Sequence, residues 1–277
     1  MRIPKADYAI IGGSGTFHIC FPEELNLNYV SVLQDDLVFA TPYGQSPVFK
    51  LFQMMGEEGP RHILTCKMHG WRQGVSRANA SQQVFWVLRE AGVEKVISEG
   101  GVGGINHLLK PRDLVVPDDY MDFSMRKDTG LEDHYLLVMR QALCPDLRHR
   151  LVEVAEKNSG FRVFDRGTYV VTDGRHFESP AEVSLFRTAG GDIVGQSLCP
   201  EVYLAREIGA CYAGIYVVVN YAEGVVKPWD HQELEEIFYT EGYSLGKIII
   251  ETLRCLPNSS TCQCRELRKE TLLKGIY

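Results

Sequence analysis

The sequence lacks several features that would assign it at once to a broad class of protein. Its formal net charge of −7 gives no excess of basic residues, which argues against nucleic-acid binding because such proteins normally carry a basic face. No apolar run approaches the length of a membrane span, and the N-terminus does not have the sections of a signal peptide. We therefore expect a cytoplasmic protein with neither a nucleic-acid nor a membrane partner.

The eight cysteines also lack a common metal-binding spacing. No pair of CxxC motifs is present, so we expect no metal site. Most of the cysteines lie in apolar stretches, where a thiol acts as a small buried hydrophobe. The exception is Cys262-Gln-Cys264, close to Cys255. Two interpretations stay open for it: a redox or disulfide role, or reduced and inert thiols.

Internal repeats and linkers are absent as well, and what the chain does contain is an alternation of strand-like and helix-like segments. The strand-like runs are YAIIGG, RHILTCK, KVISEGG, DLVVPDD, TYVVTDG, DIVGQS and YAGIYVVVN. Helices are predicted for SQQVFWVLREAG, LRHRLVEVAEKNSG, PAEVSLFRTAGG and PEVYLAREIGA, the last two opening with proline and closing on glycine. This alternation predicts an α/β fold with a largely parallel, buried sheet.

Ligands of such sheets bind beyond the carboxyl ends of the strands, so the polar residues after each apolar run are the candidate site. Glycines, small hydroxyls, one cation, one histidine, one amide and one acid fall there. The segments are Gly13-Ser14-Gly15, Lys67-Met68-His69-Gly70, residues 99–104, Thr172-Asp173-Gly174, Gln196-Ser197 and Asn220-Tyr221-Ala222. We expect them to form a site for a small polar ligand that bears an anion.

The first of these segments, in IIGGSGTF, admits three interpretations. A dinucleotide loop needs a third glycine where His18 stands and a helix directly behind the turn, although Asp35-Asp36 lies where a ribose-binding acid is expected. A P-loop is excluded because no lysine follows the glycines. The third interpretation is a loop whose N–H groups and Ser14 hydroxyl hold a single phosphate or similar oxyanion.

The other strand ends favour the oxyanion. Lys67, His69 and Ser197 offer charge and hydrogen bonds, and the glycines at 100–104 allow close approach to a backbone. Each also has a structural interpretation, since a glycine run is often a turn and a single histidine often bonds within the core. An aromatic, an acid and an amide at Phe177, Glu178 and Asn220 suit the edge of a heterocyclic base. Glu178 is equally explained as an acid at a helix N-terminus.

Six segments together resemble the trimeric purine nucleoside phosphorylase and methylthioadenosine phosphorylase family: GGSG, KMHG, GGVGGIN, TDGRHFESPAE, VGQSLCPEVYLARE and VNYAEG. The resemblance extends from Ile10 to about Glu251. It implies a single-domain, three-layer α/β fold around a central mixed, largely parallel sheet over residues 1–255. Residues 256–277 then form a C-terminal tail that packs on the domain or extends from it.

The resemblance also assigns roles. Phosphate would be held by Ser14, His69, the N–H of Gly101 and Ser197, with Lys67 or Met68 standing where the family has an arginine. The base and ribose would contact Phe177, Glu178, Gln196, Asn220 and His231. His69, Glu178 and Asn220 are the predicted catalytic residues. Asparagine in place of the aspartates of the methylthioadenosine branch favours 6-oxopurines.

The implied reaction is phosphorolysis of inosine, guanosine or methylthioinosine to free purine and a (methylthio)ribose 1-phosphate. Inorganic phosphate is a co-substrate, and no cofactor or metal is expected. The partners are the small-molecule substrates and other copies of the chain, in a homotrimer or a dimer of trimers. The alternatives are a methylthioadenosine phosphorylase, a phosphate-independent nucleosidase in which water replaces phosphate, and a non-catalytic nucleoside binder.

Overall fold

A computed structural model of the chain describes residues 2–131, 135–259 and 261–272. Its helices are α1 (Arg77–Ala91), α2 (Pro145–Asn158), α3 (Pro180–Thr188), α4 (Leu198–Ile208), α5 (His231–Thr240) and α6 (Gly242–Cys255). Its strands are β1 (Tyr8–Ile11), β2 (Val30–Leu37), β3 (Ala40–Thr41), β4 (Gly44–Gln45), β5 (Phe49–Gly56), β6 (Gly59–Cys66), β7 (Lys95–Gly104), β8 (Leu114–Val115), β9 (Asp119–Asp122), β10 (Tyr135–Leu137), β11 (Val163–Phe164), β12 (Thr168–Val171), β13 (Ile193–Gly195), β14 (Cys211–Tyr221) and β15 (Arg268–Glu270).

The central sheet is mixed and largely parallel, as predicted. Its strands follow the order β11-β8-β14-β7-β1-β6-β5-β2. The four innermost strands, β14, β7, β1 and β6, are mutually parallel. Strands β5 and β2 continue the sheet as antiparallel neighbours on one side. The carboxyl ends of the four inner strands therefore meet at one edge of the sheet.

Alternate residues of the inner strands enter two separate hydrophobic cores. On β1, Ala9 and Ile11 belong to the core that contains α1 and α4, whereas Tyr8 and Ile10 belong to the core that contains α2 and α6. Successive side chains of a strand point to opposite faces, so a strand buried on both faces is a continuous apolar run. The result is the three-layer arrangement of helices, sheet and helices that the resemblance implied.

The N-termini of α3 and α4 each contain the proline that the sequence predicts in the first turn. Helix α3 begins at Pro180 behind Ser179, whose hydroxyl and the Glu182 carboxylate form a capping box. Helix α4 begins at Leu198, two positions before the predicted Pro200, and Cys199 inside it has non-helical backbone angles. Proline fits at the first turn because it has no N–H to leave unpaired. Pro200 lies in the first turn of α4, as predicted, although the helix begins two residues before it.

The segment behind the glycine loop of β1 carries only a one-turn 3₁₀ helix at Glu23–Leu25. A dinucleotide-binding loop needs a helix N-terminus immediately after the turn, to which the pyrophosphate is bound. The local structure therefore does not provide the helix N-terminus that a dinucleotide-binding loop requires.

A second group of strands extends the sheet beside the candidate site. Strand β13 runs antiparallel to the end of β7, with Val194 opposite Gly103, and β12 lies between β13 and β9. This brings the residues after β13 to the edge where β1, β6, β7 and β14 end.

The C-terminal residues after α6 fold back onto the body of the protein. Strand β15 pairs antiparallel with β10, and Leu256, Cys264 and Leu267 are buried. Within the described ranges, no helix is both long and apolar enough to cross a membrane.

Candidate active site

A cavity of about 200 Å³ opens where the inner strands end. Its lining contains both the residues predicted to bind an oxyanion and those predicted to bind a heterocyclic base, which we call the anion half and the base half. The anion half comprises Ser14, His69, Gly101 and Ser197, and the base half comprises Phe177, Glu178, Gln196 and Asn220. The predicted convergence of strand-end residues is therefore present in the fold.

Two predicted residues do not line this cavity. The Lys67 ammonium donates to the carbonyl oxygens of Phe17 and Ile19, at 3.3 and 2.9 Å, and its side chain faces a neighbouring cavity. His231 is the exposed first residue of α5, with its ring 6.3 Å from that of Trp229. Spacing along the sequence places both near the site, but Lys67 faces the neighbouring cavity and His231 is exposed.

The glycine loop after β1 is held by Glu99, the first residue of the candidate segment 99–104, to which the sequence assigned no role of its own. The carboxylate of Glu99, on β7, accepts hydrogen bonds from the N–H of Gly13 and from the N–H and hydroxyl of Thr16. Glu99 is 0% exposed, and this burial raises the pKa of its carboxyl group. A carboxylate with three donors positioned around it fixes the path of the loop.

Gly13 is required at its position by close packing. A Cβ atom there would lie 2.1 Å from the carbonyl oxygen of Glu99 and 2.7 Å from Nε2 of His69. Because the first of these is a backbone atom of a central strand, it has no freedom to move aside. The loop therefore approaches both β7 and the histidine more closely than any other residue type would allow.

His69 is fixed on both its backbone and its ring. It has a left-handed backbone, with φ of 53°, and its N–H donates to the carbonyl oxygen of Gly12 at 2.9 Å. Its Nδ1 lies 2.8 Å from a carboxylate oxygen of Glu201, whose other oxygen accepts from the hydroxyl of Tyr212 at 2.7 Å. With Nδ1–H donating to Glu201, Nε2 is directed to the glycine loop.

The cavity carries little positive charge of its own. Among the described residues that line it, His69 is the only basic side chain. Met68, one of the two residues predicted to stand in place of an arginine, also lines it. Arg77 lies behind the wall, donating to the side-chain oxygen of Gln196 at 2.7 Å with its guanidinium 4.0 Å from the ring centre of Trp71. Arg126 donates to the Gln196 carbonyl oxygen at 2.9 Å.

Glu178 in the base half is not explained as a capping acid. Helix α3 is capped by Ser179 and Glu182, so the acid in its first turn is Glu182. Glu178 is buried, accepts from the hydroxyl of Thr172 and lines the cavity. A buried carboxylate that faces a cavity is available to a ligand.

Asn220 and Phe177 complete this half of the cavity. The Asn220 amide is buried and donates to the carbonyl oxygen of Tyr221 at 2.7 Å. The Phe177 ring stands edge-on to Trp229, with 5.2 Å between the ring centres. The Trp229 indole in turn donates to Glu223 at 2.9 Å, and Glu223 also lines the cavity. The sequence offered no signal for Trp229 and Glu223 beyond their place after the last long strand.

Comparison with known proteins supports a single family. Residues 8–254 match the family model described as the phosphorylase superfamily. The chain is 32% identical to a 6-oxopurine nucleoside phosphorylase of Pyrococcus furiosus, over 94% of this chain and 97% of the relative. It is also 32% identical to an S-methyl-5'-thioadenosine phosphorylase of Pyrococcus horikoshii, over 94% and 96%.

A solved structure supports the fold. A methylthioadenosine phosphorylase sourced from an antarctic soil metagenomic library matches with a TM-score of 0.75 and 22% identity. The match covers 95% of this chain and 91% of that one.

The contact between Glu201 and His69 leads to a testable expectation. In Glu201→Gln the amide oxygen still accepts from Nδ1–H, but the carboxylate charge that strengthens this hydrogen bond, and with it the orientation of the ring toward the anion half, is removed. We expect inorganic phosphate to bind about tenfold more weakly by calorimetry, the size of one lost charge-assisted hydrogen bond of about 1.5 kcal/mol.

Glu207→Gln provides the matched control, because Glu207 is buried on the same helix and accepts from the N–H of Leu131 instead. It should leave the affinity for phosphate unchanged. Equal affinity of Glu201→Gln and the unchanged protein would contradict the role given to this carboxylate.

Proposed function

This chain belongs to the phosphorylase superfamily, and we propose that it catalyses the phosphorolysis of 6-oxopurine nucleosides such as inosine, guanosine or methylthioinosine. The products are the free purine and a (methylthio)ribose 1-phosphate. The observation that carries the proposal is the joint presence, in one cavity, of Asn220 and Glu178 with Ser14, His69 and Ser197.

The chemistry of the base half favours a 6-oxopurine. Such a base presents an N–H donor at N1 and an acceptor at O6, whereas adenine presents an acceptor at N1 and a donor at C6. The Glu178 carboxylate is a hydrogen-bond acceptor, which suits N1–H. The Asn220 amide donates to O6 and is able to hydrogen bond N7 as well. A site built to pair with particular donors discriminates strongly against a base that lacks them.

The anion half positions the attacking phosphate. Ser14 and Ser197 offer hydroxyls, and His69 presents Nε2. The N–H of Gly101, which the resemblance assigns to phosphate, donates instead to the Ser14 hydroxyl oxygen at 2.9 Å, which leaves the Ser14 O–H to donate to the phosphate. In the reaction a phosphate oxygen forms a bond to the anomeric carbon of the sugar as the bond from that carbon to the purine nitrogen breaks. The electron pair of the broken bond leaves with the base, which then takes up a proton.

Charge separates in the transition state, with positive charge on the sugar and negative charge on the departing purine. The bound phosphate stabilises the first, and hydrogen bonds from Asn220 stabilise the second. Removing one such preorganised contact typically raises the barrier by about 2.7–4 kcal/mol. Neither a metal nor a cofactor takes part in this scheme.

The second candidate function is the phosphorolysis of methylthioadenosine. It is favoured by the relative of that name from Pyrococcus horikoshii, which matches as much of the chain as the 6-oxopurine enzyme does. The acceptor that a 6-amino group needs is, however, replaced here by the amide of Asn220.

A trimeric assembly and a cytoplasmic location are further parts of the proposal. In support of an assembly, the segment after β9 exposes apolar side chains, with Met125 90% and Phe123 46% accessible. Clustered exposed apolar groups are typical of surfaces that another chain covers. The location stays a prediction from the sequence.

The direct test is a turnover assay with inosine, guanosine, adenosine and methylthioadenosine at increasing phosphate concentration. We expect purine release to require phosphate and kcat/KM to be highest for the 6-oxopurine nucleosides. Undiminished release in phosphate-free buffer would instead show a nucleosidase, and binding without release would show a non-catalytic protein.

The selectivity assigned to Asn220 is tested by Asn220→Asp. The carboxylate accepts from a 6-amino group and repels O6, so the ratio of kcat/KM for inosine to that for adenosine should fall by at least about tenfold, equivalent to ~1.4 kcal/mol. Asn28→Asp makes the same change at an exposed position away from the cavity and should leave the ratio as it is. An unchanged ratio in Asn220→Asp would show that Asn220 does not read the base.

A further inference from the structure

Four cysteines that are far apart in the sequence come together on the side of the protein where the C-terminal segment packs. The sulfur atoms of Cys144, Cys211, Cys262 and Cys264 all lie within 4.8 Å of one another. Three of these residues are buried and Cys262 is partly buried. The cluster does not belong to the candidate active site, whose lining contains none of them.

The spacing of the sulfur atoms fits a tetrahedral metal site. Zinc–sulfur bonds of about 2.3 Å place the four sulfurs of such a site roughly 3.8 Å apart. The sulfurs of Cys211 and Cys262 are separated by 3.3 Å, well beyond the length of a disulfide bond of about 2.05 Å. The four sulfur atoms therefore form one cluster, as the ligands of a single metal ion do, and not two separate disulfide-bonded pairs.

The surrounding backbone holds the cysteines in this arrangement. Cys144 is the N-cap of α2, where the positive end of the helix favours a thiolate. Cys211 is the first residue of β14, and its N–H donates to the carbonyl oxygen of Glu94 at 2.8 Å. Two ligands are therefore placed by the rigid body of the fold.

Cys262 is placed by the side chain of Asp146, and Cys264 lies two residues further along the same segment. The carboxylate of Asp146, on α2, accepts from the N–H and hydroxyl of Thr261 at 2.8 and 3.0 Å. It also accepts from the N–H of Cys262 at 2.9 Å. These bonds turn the Cys262-Gln-Cys264 segment toward Cys144.

A buried cation supplies an independent reason to expect negative charge here. Arg206 is 2% exposed, and its guanidinium donates to the backbone carbonyl oxygens of Gln141, Ala142 and Cys264. No carboxylate pairs with it among the described residues. A buried charge needs a compensating charge nearby, and four thiolates around one zinc ion carry a net negative charge next to Cys264.

We propose that Cys144, Cys211, Cys262 and Cys264 bind one zinc ion, which fastens the C-terminal segment to α2 and β14. Each thiol loses its proton to solvent on binding, and no oxidant or reductant is needed. The expectation of no metal site, drawn from the absence of CxxC pairs, is thereby revised. The ligands come from three separate segments, and only the CxC pair is local.

The experiment measures the metal content of the protein purified under reducing conditions without added metal or chelator. We expect one zinc per chain by elemental analysis, released in step with titration of the four thiols by a mercurial. Cobalt(II) exchanged into the unmodified protein should give the absorption bands of tetrahedral thiolate coordination. This second readout does not depend on any variant folding.

Cys264→Ser should lose most of the zinc, whereas Cys20→Ser, at an exposed cysteine outside the cluster, should retain it. The proposal is overturned by a protein that contains no zinc and takes up no cobalt. It is equally overturned if the mass of the chain is four hydrogen atoms below that of the fully reduced chain, which shows two disulfides. Iron in place of zinc would overturn it as well. All of these outcomes are independent of the proposed enzymatic activity.

Discussion

The hydrogen bonds between the buried Glu99 carboxylate and the glycine loop are the interaction on which the site depends. Three donors from Gly13 and Thr16 converge on a side chain in the middle of β7, which joins the loop after β1 to that strand. The N–H of His69 donates to Gly12 and adds the end of β6 to the same assembly. Removing a carboxylate from water is costly, so these donors must stay in place as long as the protein is folded. The loop is thus rigid before any ligand binds.

Charge is the second constraint on the site. Ser14, His69 and Ser197 face a cavity whose described lining includes no lysine or arginine, while Arg77 and Arg126 stand behind Gln196. Phosphate would then be held mainly by hydrogen bonds, with more distant cations adding a weaker attraction. A guanidinium fork binds phosphate through two parallel hydrogen bonds, and its absence makes the orientation of the histidine by Glu201 more important.

The sequence was most informative where polar residues directly follow buried parallel strands. Ser14, Gln196 and Asn220 could be placed at one edge of the sheet because that rule is purely topological. The roles of Glu99 and Glu201 could not be predicted, since an acid inside a strand or helix has no local pattern that reveals what it bonds. For Lys67 and His231 the sequence predicted a position near the site. It could not predict that Lys67 faces a neighbouring cavity or that His231 is exposed. The cysteine cluster required contacts between segments that only the folded chain brings together.

The central claim is that phosphate and purine occupy the two halves of a single cavity. It is tested most directly by a crystal structure of the protein with inorganic phosphate and hypoxanthine bound. We predict phosphate within hydrogen-bond distance of Ser14, His69 and Ser197, with O6 of the base facing Asn220 and N1 facing Glu178. Phosphate bound instead beside Lys67 in the neighbouring cavity, or a base that contacts neither Asn220 nor Glu178, would contradict it.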